Sequence, residues 1–309
     1  MKNSAAILAS MLLIAPAMAL PLHNTTARFP PPRQPPVVRA STNMTAAEQL
    51  LFASRKAQPF VPKAIQQRTS SDAMHYQPVL DYDRDSCYNV PAIDAEGNVS
   101  EGLKAAYTSN ISGGCRDPKH LDNQNVYVRS RCNGGWCAYM YEHYFQKDVG
   151  LEHVGGVASG HRHEWENVVV VVKDGTGFPA LVAVSAHDGY IVQRPSNRTP
   201  PKLRFQGMFS PCAHPKVVYH KNGPGTHCFR FAKIEDEMIK NDKHYWIRGA
   251  LIEWNKWPSF EVRDRMVRAF ANTGTEPKIS DAHFAKYLEK ALKKQNIYGF
   301  NPWIEEGVM

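Results

Sequence analysis

The alternation of apolar and polar positions divides this chain into three stretches. From Ala5 to Ala15 the residues are small and apolar, with Lys2 before them and Ala17-Met18-Ala19 after. A basic start, a short apolar run and a small-x-small triplet predict a secretory signal peptide over residues 1–19. The run is shorter than the ~20 residues a spanning helix needs, which argues against an anchor. Residues 20–75 show little periodicity. Pro30, Pro31, Pro32, Pro35 and Pro36 keep their first half extended. Thr45-Ala-Ala-Glu48 ahead of Leu50, Leu51 and Phe52 has the form of a capping box opening a short helix. This stretch reads as a proline-rich leader or linker, and residues 76–309 as one domain.

Inside the domain, short segments rich in β-branched and aromatic residues are separated by Asn/Gly/Pro/Asp clusters. They are Val126–Ser130, Ala138–Phe145, Glu166–Val172, Ala180–Ala186, Lys216–His220 and His227–Ala232. This spacing predicts a mainly β protein, a β-sandwich. Val168–Val172 is apolar on both faces, as a central strand covered on both sides must be. The period then changes. Phe260, Val262, Met266, Val267 and Phe270, and later Phe284, Tyr287, Leu288, Ala291 and Leu292, recur at helical spacing. Two amphipathic helices flanking the sandwich near the C-terminus follow.

The excess of positive charge, +8, favours anionic surfaces and equally serves solubility. No nucleic-acid recognition motif is present, so phosphorylated head groups or acidic wall polymers are the better partners. Six cysteines, Cys87, Cys115, Cys132, Cys137, Cys212 and Cys228, suit a secreted disulfide protein. They admit fifteen pairings. Proximity favours Cys87–Cys115, Cys132–Cys137 and Cys212–Cys228, without deciding the matter. Zinc on these thiols is disfavoured by the absence of CxxC or HxxxH groupings. Sequons at Asn24, Asn43, Asn98, Asn110 and Asn197 agree with a secretory route.

The densest polar cluster is Gly160-His161-Arg162-His163-Glu164-Trp165-Glu166, immediately before the apolar strand. Period-two alternation would put Glu164 and Glu166 on one face. His161 would join them from a glycine-containing loop, and Asp148, across Gly150, Gly155 and Gly156, could complete a divalent-cation shell. Such donors suit Ca2+ or Mg2+, and the imidazole admits Mn2+ or Zn2+. Spacing alone leaves a surface salt-bridge cluster open. A glycosidase-like acid/base pair is disfavoured, because neighbours on one strand face sit too close for a water-spaced inverting arrangement.

Gly160–Glu166 resembles the GHRHDWE heptapeptide of the necrosis- and ethylene-inducing-peptide-like family, with Glu164 in place of Asp. Ala138–Asp148 is similar to that family's AIMYSWYFPKD segment, and Val90–Leu103 to its PAVDAQGNTSGGL region. Ser185-Ala-His187, Val217–Lys221 and Thr226-His227 also look familial. The resemblance runs from about residue 78 to the C-terminus. It implies an actinoporin- and fungal-lectin-like sandwich, secreted and monomeric, with a divalent cation held by Asp148, His161, Glu164 and Glu166. Arg162, His163, Trp165, His187 and His227 take binding or supporting roles, and Cys87–Cys115 is the shared disulfide. The implied activity is a toxin: peripheral contact with plant plasma-membrane sphingolipids carrying inositol phosphate, then leakage, with no bond broken, hence no enzyme. The sequence also departs from the family. Glu164 is one methylene longer than Asp, and His143 and Gln146 stand where Trp and Pro are usual. The span from Asp148 to His161 is several residues longer, which would carry Asp148 away from the cation. These departures bear on potency, because family members include non-toxic ones. A non-cytolytic binder of the same fold is therefore the alternative.

Overall fold

The computed structural model of the chain describes residues 59–105, 110–154, 157–197, 201–207, 213–223 and 226–305. The expected signal peptide, the proline-rich segment and the Thr45–Glu48 capping box lie outside these residues. The described elements, in chain order, begin with α1 (Ser71–His75) and β1 (Val79–Tyr82). Then come β2 (Asn125–Asn133), β3 (Trp136–Val154), β4 (Val157–Lys173), β5 (Pro179–Ala186) and β6 (Gly189–Gln193). After them follow β7 (Phe205–Gln206), β8 (His214–Lys221), β9 (His227–Phe231) and β10 (Ala250–Glu253). The helices α2 (Phe260–Phe270) and α3 (Phe284–Leu292) close the series.

The strands form two sheets. A six-stranded sheet runs β10-β2-β3-β4-β5-β6; a four-stranded one runs β1-β8-β7, with β9 also paired to β8. The sheets face each other. Tyr141, Phe145, Val168 and Val170 of the large sheet share one core with Val217, Tyr219 and Phe229 of the small one. Phe145 stacks on Tyr219 with ring centroids 3.9 Å apart. The outer face of the large sheet carries a second core, in which Met140, Tyr144, Val169 and Val171 meet Val262, Met266 and Phe270 of α2 and Phe284 and Leu288 of α3.

The β-sandwich with flanking helices is thus the observed fold, and the all-apolar run on β4 has the reason expected of it. Each of its valines is covered from one side or the other. Burial on this scale contributes roughly 1.5–3 kcal/mol per side chain.

Three expectations need correction. First, residues 59–75 belong to the folded domain and not to the leader. Ile65 is buried in the outer core and its N–H donates to Asn125 Oδ1 at 2.8 Å. Arg68 N–H donates to Leu251 O at 2.8 Å, and Ala73 enters the inter-sheet core. Isolated apolar residues of this kind carry no periodic signal. Second, the expected glycine-rich loop after Asp148 is the far end of a long β3–β4 hairpin, which stays paired out to Val154 and Val157. Third, Cys87–Cys115 and Cys132–Cys137 are disulfides, but Cys228 is a buried free thiol. It lies on β9 opposite His220, whose Nε2 is 3.7 Å from its Sγ. Cys212 lies outside the described residues.

Candidate metal centre and its cavity

The site forms where β3 and β4 run on beyond the rest of the large sheet. β5 pairs with β4 only from Val168 onward, and continuing that register sets Glu166 beside Ala186, so residues 161–164 run on past the β5–β6 turn. Asp148 and His161 are direct cross-strand partners. The extra residues between them are absorbed further out along the hairpin, and Asp148 is not displaced. Gly160 makes the close approach possible. Its φ is +139°, and a Cβ there would clash with Asp148 O.

A strict strand would put His161 and Glu164 on opposite faces. Here His163 has φ +63°, a left-handed conformation uncommon outside glycine. The alternation breaks at that point, and His161 Nε2 comes to 3.2 Å from Glu164 Oε2. β3 shifts face as well. Asp148 is bonded by His227 of the small sheet, so it faces the same way as Phe145 three residues earlier. Each of Asp148, His161 and Glu164 then offers one ligand atom, all within 4.8 Å of one another. Two carboxylates and an imidazole at this separation suit one small divalent cation.

The Glu164 side chain is 13% exposed, and its desolvation, with the negative charge of Asp148 next, pushes its pKa up to about 8. Burial and then the charge of Glu164 push Glu166 well above the usual carboxylate range. Glu166 lines the same cavity, but its Oε2 accepts a hydrogen bond from Ser185 Oγ, so it stands beside the three clustered side chains and not among them. Asp148 is fixed from behind. The His227 N–H donates to its Oδ2 at 2.8 Å, and His227 Nδ1 is 2.7 Å from its Oδ1. Burial opposes a charge on His227, but its bond to Asp148 and the nearby carboxylate of Asp85 outweigh this and raise its pKa to about 9. Asp85, 3.7 Å from His227 Nε2, was not expected from the sequence. It sits in a loop with no pattern that points to it.

Of the remaining heptapeptide residues, Trp165 also borders the cavity, while the side chains of His163 and Arg162 are engaged elsewhere. His163 Nδ1 is 2.7 Å from Tyr144 Oη and its ring packs edge-on against Phe270. Trp165 packs between Tyr127, Tyr144 and Phe270. Arg162 donates to Glu101 O at 3.0 Å. All three support the strand, and none belongs to the Asp148–His161–Glu164 cluster. His187, in the β5–β6 turn, does line the cavity, with its Nε2 3.0 Å from Asn222 Nδ2.

The cavity beside the cluster measures about 280 Å³. Besides His161, Glu164 and Glu166 it is bounded by Asn167 and Tyr190 and by Lys278, Tyr287 and Lys290 from the C-terminal region. Among the described residues, no helix is long and apolar enough to cross a membrane.

With this geometry in hand, the comparisons are consistent with one another. A family model described as Necrosis inducing protein (NPP1) matches residues 70–291. "NLP effector protein 10" of Phytophthora capsici is 38% identical over 144 residues, 46% of this chain and 56% of that protein. "Necrosis-inducing protein NPP1" of Phytophthora nicotianae is 32% identical over 162 residues, 52% of this chain and 64% of that protein. The chain therefore spans little more than half the length of these curated relatives. The crystal structure of Necrosis and Ethylene inducing Protein 2, from the agent of cocoa's witches' broom disease, superposes with a TM-score of 0.58. It is 25% identical, covering 74% of this chain and 94% of that one. NLPPya in complex with glucosamine gives 0.55 at 25% identity, covering 74% and 95%. The non-toxic HaNLP3 gives 0.54 at 26%, covering 75% and 96%. On the family match, the shared toxin fold and the place of the heptapeptide within it, this chain belongs to the necrosis inducing protein family.

Proposed function

We propose that this chain is a secreted effector that recognises sugar-bearing sphingolipid head groups of plant plasma membranes through a divalent cation, and then permeabilises the membrane. The observation that carries this reading is the convergence of Asp148, His161 and Glu164 within 4.8 Å beside an open cavity of about 280 Å³. The glucosamine complex of NLPPya supports a sugar as the occupant. A bound cation would supply a positive focus for hydroxyl or phosphate oxygens. The protein's own groups do the rest. Asp148 is held in place by His227, Glu164 and His161 complete the donor set, and Ser185 keeps Glu166 oriented along the wall. The two carboxylates and single imidazole favour Ca2+ or Mg2+, with Mn2+ next.

Nothing in this scheme requires a bond in the lipid to break, so we assign no enzymatic activity. Contact with the membrane is peripheral and the acting species a monomer. The non-cytolytic reading has a specific support of its own, the similarity to the non-toxic HaNLP3. Leaf infiltration separates the two. Purified protein should cause necrosis that is lost with a chelator and with Glu164→Gln. Absence of necrosis from folded, cation-loaded protein would leave the binding role alone.

A further inference from the structure

The two disulfides sit in opposite surroundings. Cys87 and Cys115 are buried, 4% and 0% exposed. Cys132 is exposed and Cys137 half-buried, at the tip of the β2–β3 hairpin. They are direct cross-strand partners, one step from the pair Asn133 and Trp136 that closes the Gly134-Gly135 turn. Both glycines have the positive φ, +57° and +78°, that suits a two-residue hairpin turn. The turn therefore sets the hairpin without the bond. A bridge between cysteines only five residues apart also closes too short a loop to restrain the unfolded chain strongly. An exposed disulfide of this kind is open to attack by a thiolate.

The groups around that bridge hold the last described segment of the chain. Asn133 Nδ2 donates to Asn301 O at 2.8 Å and to Ile304 O at 2.7 Å, and its Oδ1 accepts from the Asn301 N–H at 2.7 Å. Arg131 donates to Pro302 O at 2.6 Å, and Trp136 Nε1 to Tyr298 O at 3.1 Å. Gly134 meets Gly299 so closely that a Cβ on it would clash. Arg131 and Asn133 flank Cys132, and Trp136 precedes Cys137. Phe300 packs on the outer core, but Trp303 and Ile304 beyond it are exposed. From Asn301 onward, then, hydrogen bonds to the hairpin tip keep this strap in place.

We propose that Cys132–Cys137 is a thiol–disulfide exchange site, and that opening it releases the C-terminal strap from Asn301 onward. A thiolate of a dithiol reductant attacks the exposed Cys132 Sγ. The S–S bond breaks, a mixed disulfide forms, and Cys137 leaves as a thiolate that takes up a proton. The reductant's second thiolate then attacks its partner sulfur in the mixed disulfide and expels the Cys132 thiolate, which is protonated in turn. The reductant ends oxidised to its disulfide and both cysteines end reduced. Asp174 Oδ1, 3.8 Å from Cys137 Sγ, is placed to accept the S–H so formed.

The test treats the full chain with graded dithiothreitol, traps free thiols with iodoacetamide and maps them by peptide mass spectrometry. Amide hydrogen exchange is read over the strap in the same samples. Cys132 and Cys137 should become alkylated at reductant concentrations about tenfold or more below those that open Cys87–Cys115. The strap amides of Asn301, which donates to Asn133 Oδ1, and Trp303, which donates to Asn301 Oδ1, should then exchange about tenfold faster. The circular dichroism of the sheets should not change, and reoxidation should restore the protection. A Cys132→Ser/Cys137→Ser variant should show the fast exchange without any reductant. Opening of both disulfides together, or of Cys132–Cys137 only on unfolding, overturns the proposal. So does selective opening in wild type with the strap amides still protected.

Discussion

Glu164 is the residue on which the site's chemistry turns. It brings a second carboxylate to a half-buried position beside Asp148, and desolvation first, then the charge of Asp148, raise its pKa to about 8, the mark of that conflict. A divalent cation removes the conflict; so does deleting the charge. Glu164→Gln should therefore leave the cation-free protein as stable as wild type or more so. It should also abolish the stabilisation that wild type gains from the cation, which is about 2.7 kcal/mol at a hundred times Kd. Thermal melts with and without Ca2+ check both parts, and a large unchanged shift in the variant would remove Glu164 from the donor set. The pH dependence has a definite sign. A folded-state pKa above the unfolded one means that the folded carboxyl keeps its proton while the unfolded one releases it. Stability of the cation-free protein should then fall as pH rises from about 4.5 to about 8. Saturating cation should flatten that slope, because it replaces the protons. Stability rising through this range without metal would contradict the account. His161 and Glu164 were legible as neighbours from residue type and spacing; Glu166, expected in the same shell, is bonded to Ser185 instead. Asp85 was not legible, since an isolated loop carboxylate has no neighbours in sequence that announce a role.

At the scale of the element, the β3–β4 hairpin is the device that assembles the site, and two backbone positions make it work. Gly160→Ala would drive a Cβ into Asp148 O and should separate β3 from β4 just where Asp148 meets His161. Loss of cation binding, with a lower melting temperature, is the expected outcome by calorimetry and circular dichroism. His163→Gly should behave differently. Glycine accepts φ +63° without strain, so the face switch survives and cation affinity should hold within a few-fold. The protein should still lose about 1–3 kcal/mol from the missing Tyr144 bond and ring packing. A collapse of cation affinity in that variant would mean that the His163 side chain, not its backbone, places His161.

The sequence pattern reached β2, β3, β4, β5, β8, β9, α2 and α3, because those elements repeat at period two or 3.6 over enough residues to be seen. It missed β1, β6, β7 and β10. β1 is four residues long and buried throughout, so it shows no alternation. β10 gains its strand character from parallel pairing with β2, 125 residues away at Ala250 and Asn125. The face switch at His163 was equally hidden, since nothing in Arg-His-Glu marks a left-handed backbone. The longer span from Asp148 to His161 looked like a displaced ligand. It proved to be added hairpin, which pairs with itself and leaves the ligand pair in register.

For the whole molecule, the small sheet and the helices hold opposite sides of the same site. His227 on β9 fixes Asp148 from within the sandwich, while Lys278 and α3 supply the cavity's far wall. Cation binding should therefore stabilise the domain as a unit and not only its hairpin. The net charge of +8 adds a long-range attraction to anionic bilayers, which salt screens over about 8–10 Å at physiological strength. Binding to plant-lipid vesicles should weaken as salt rises, and its cation requirement should persist at every salt concentration tested. The most direct test of the central claim is co-sedimentation of the full chain with vesicles containing inositol-phosphate sphingolipids, with Ca2+ or with chelator, beside Glu164→Gln. The account predicts binding by wild type with the cation, and loss of that binding with chelator and in the variant. Equal sedimentation in all three samples would show that the membrane is recognised without the Asp148–His161–Glu164 centre.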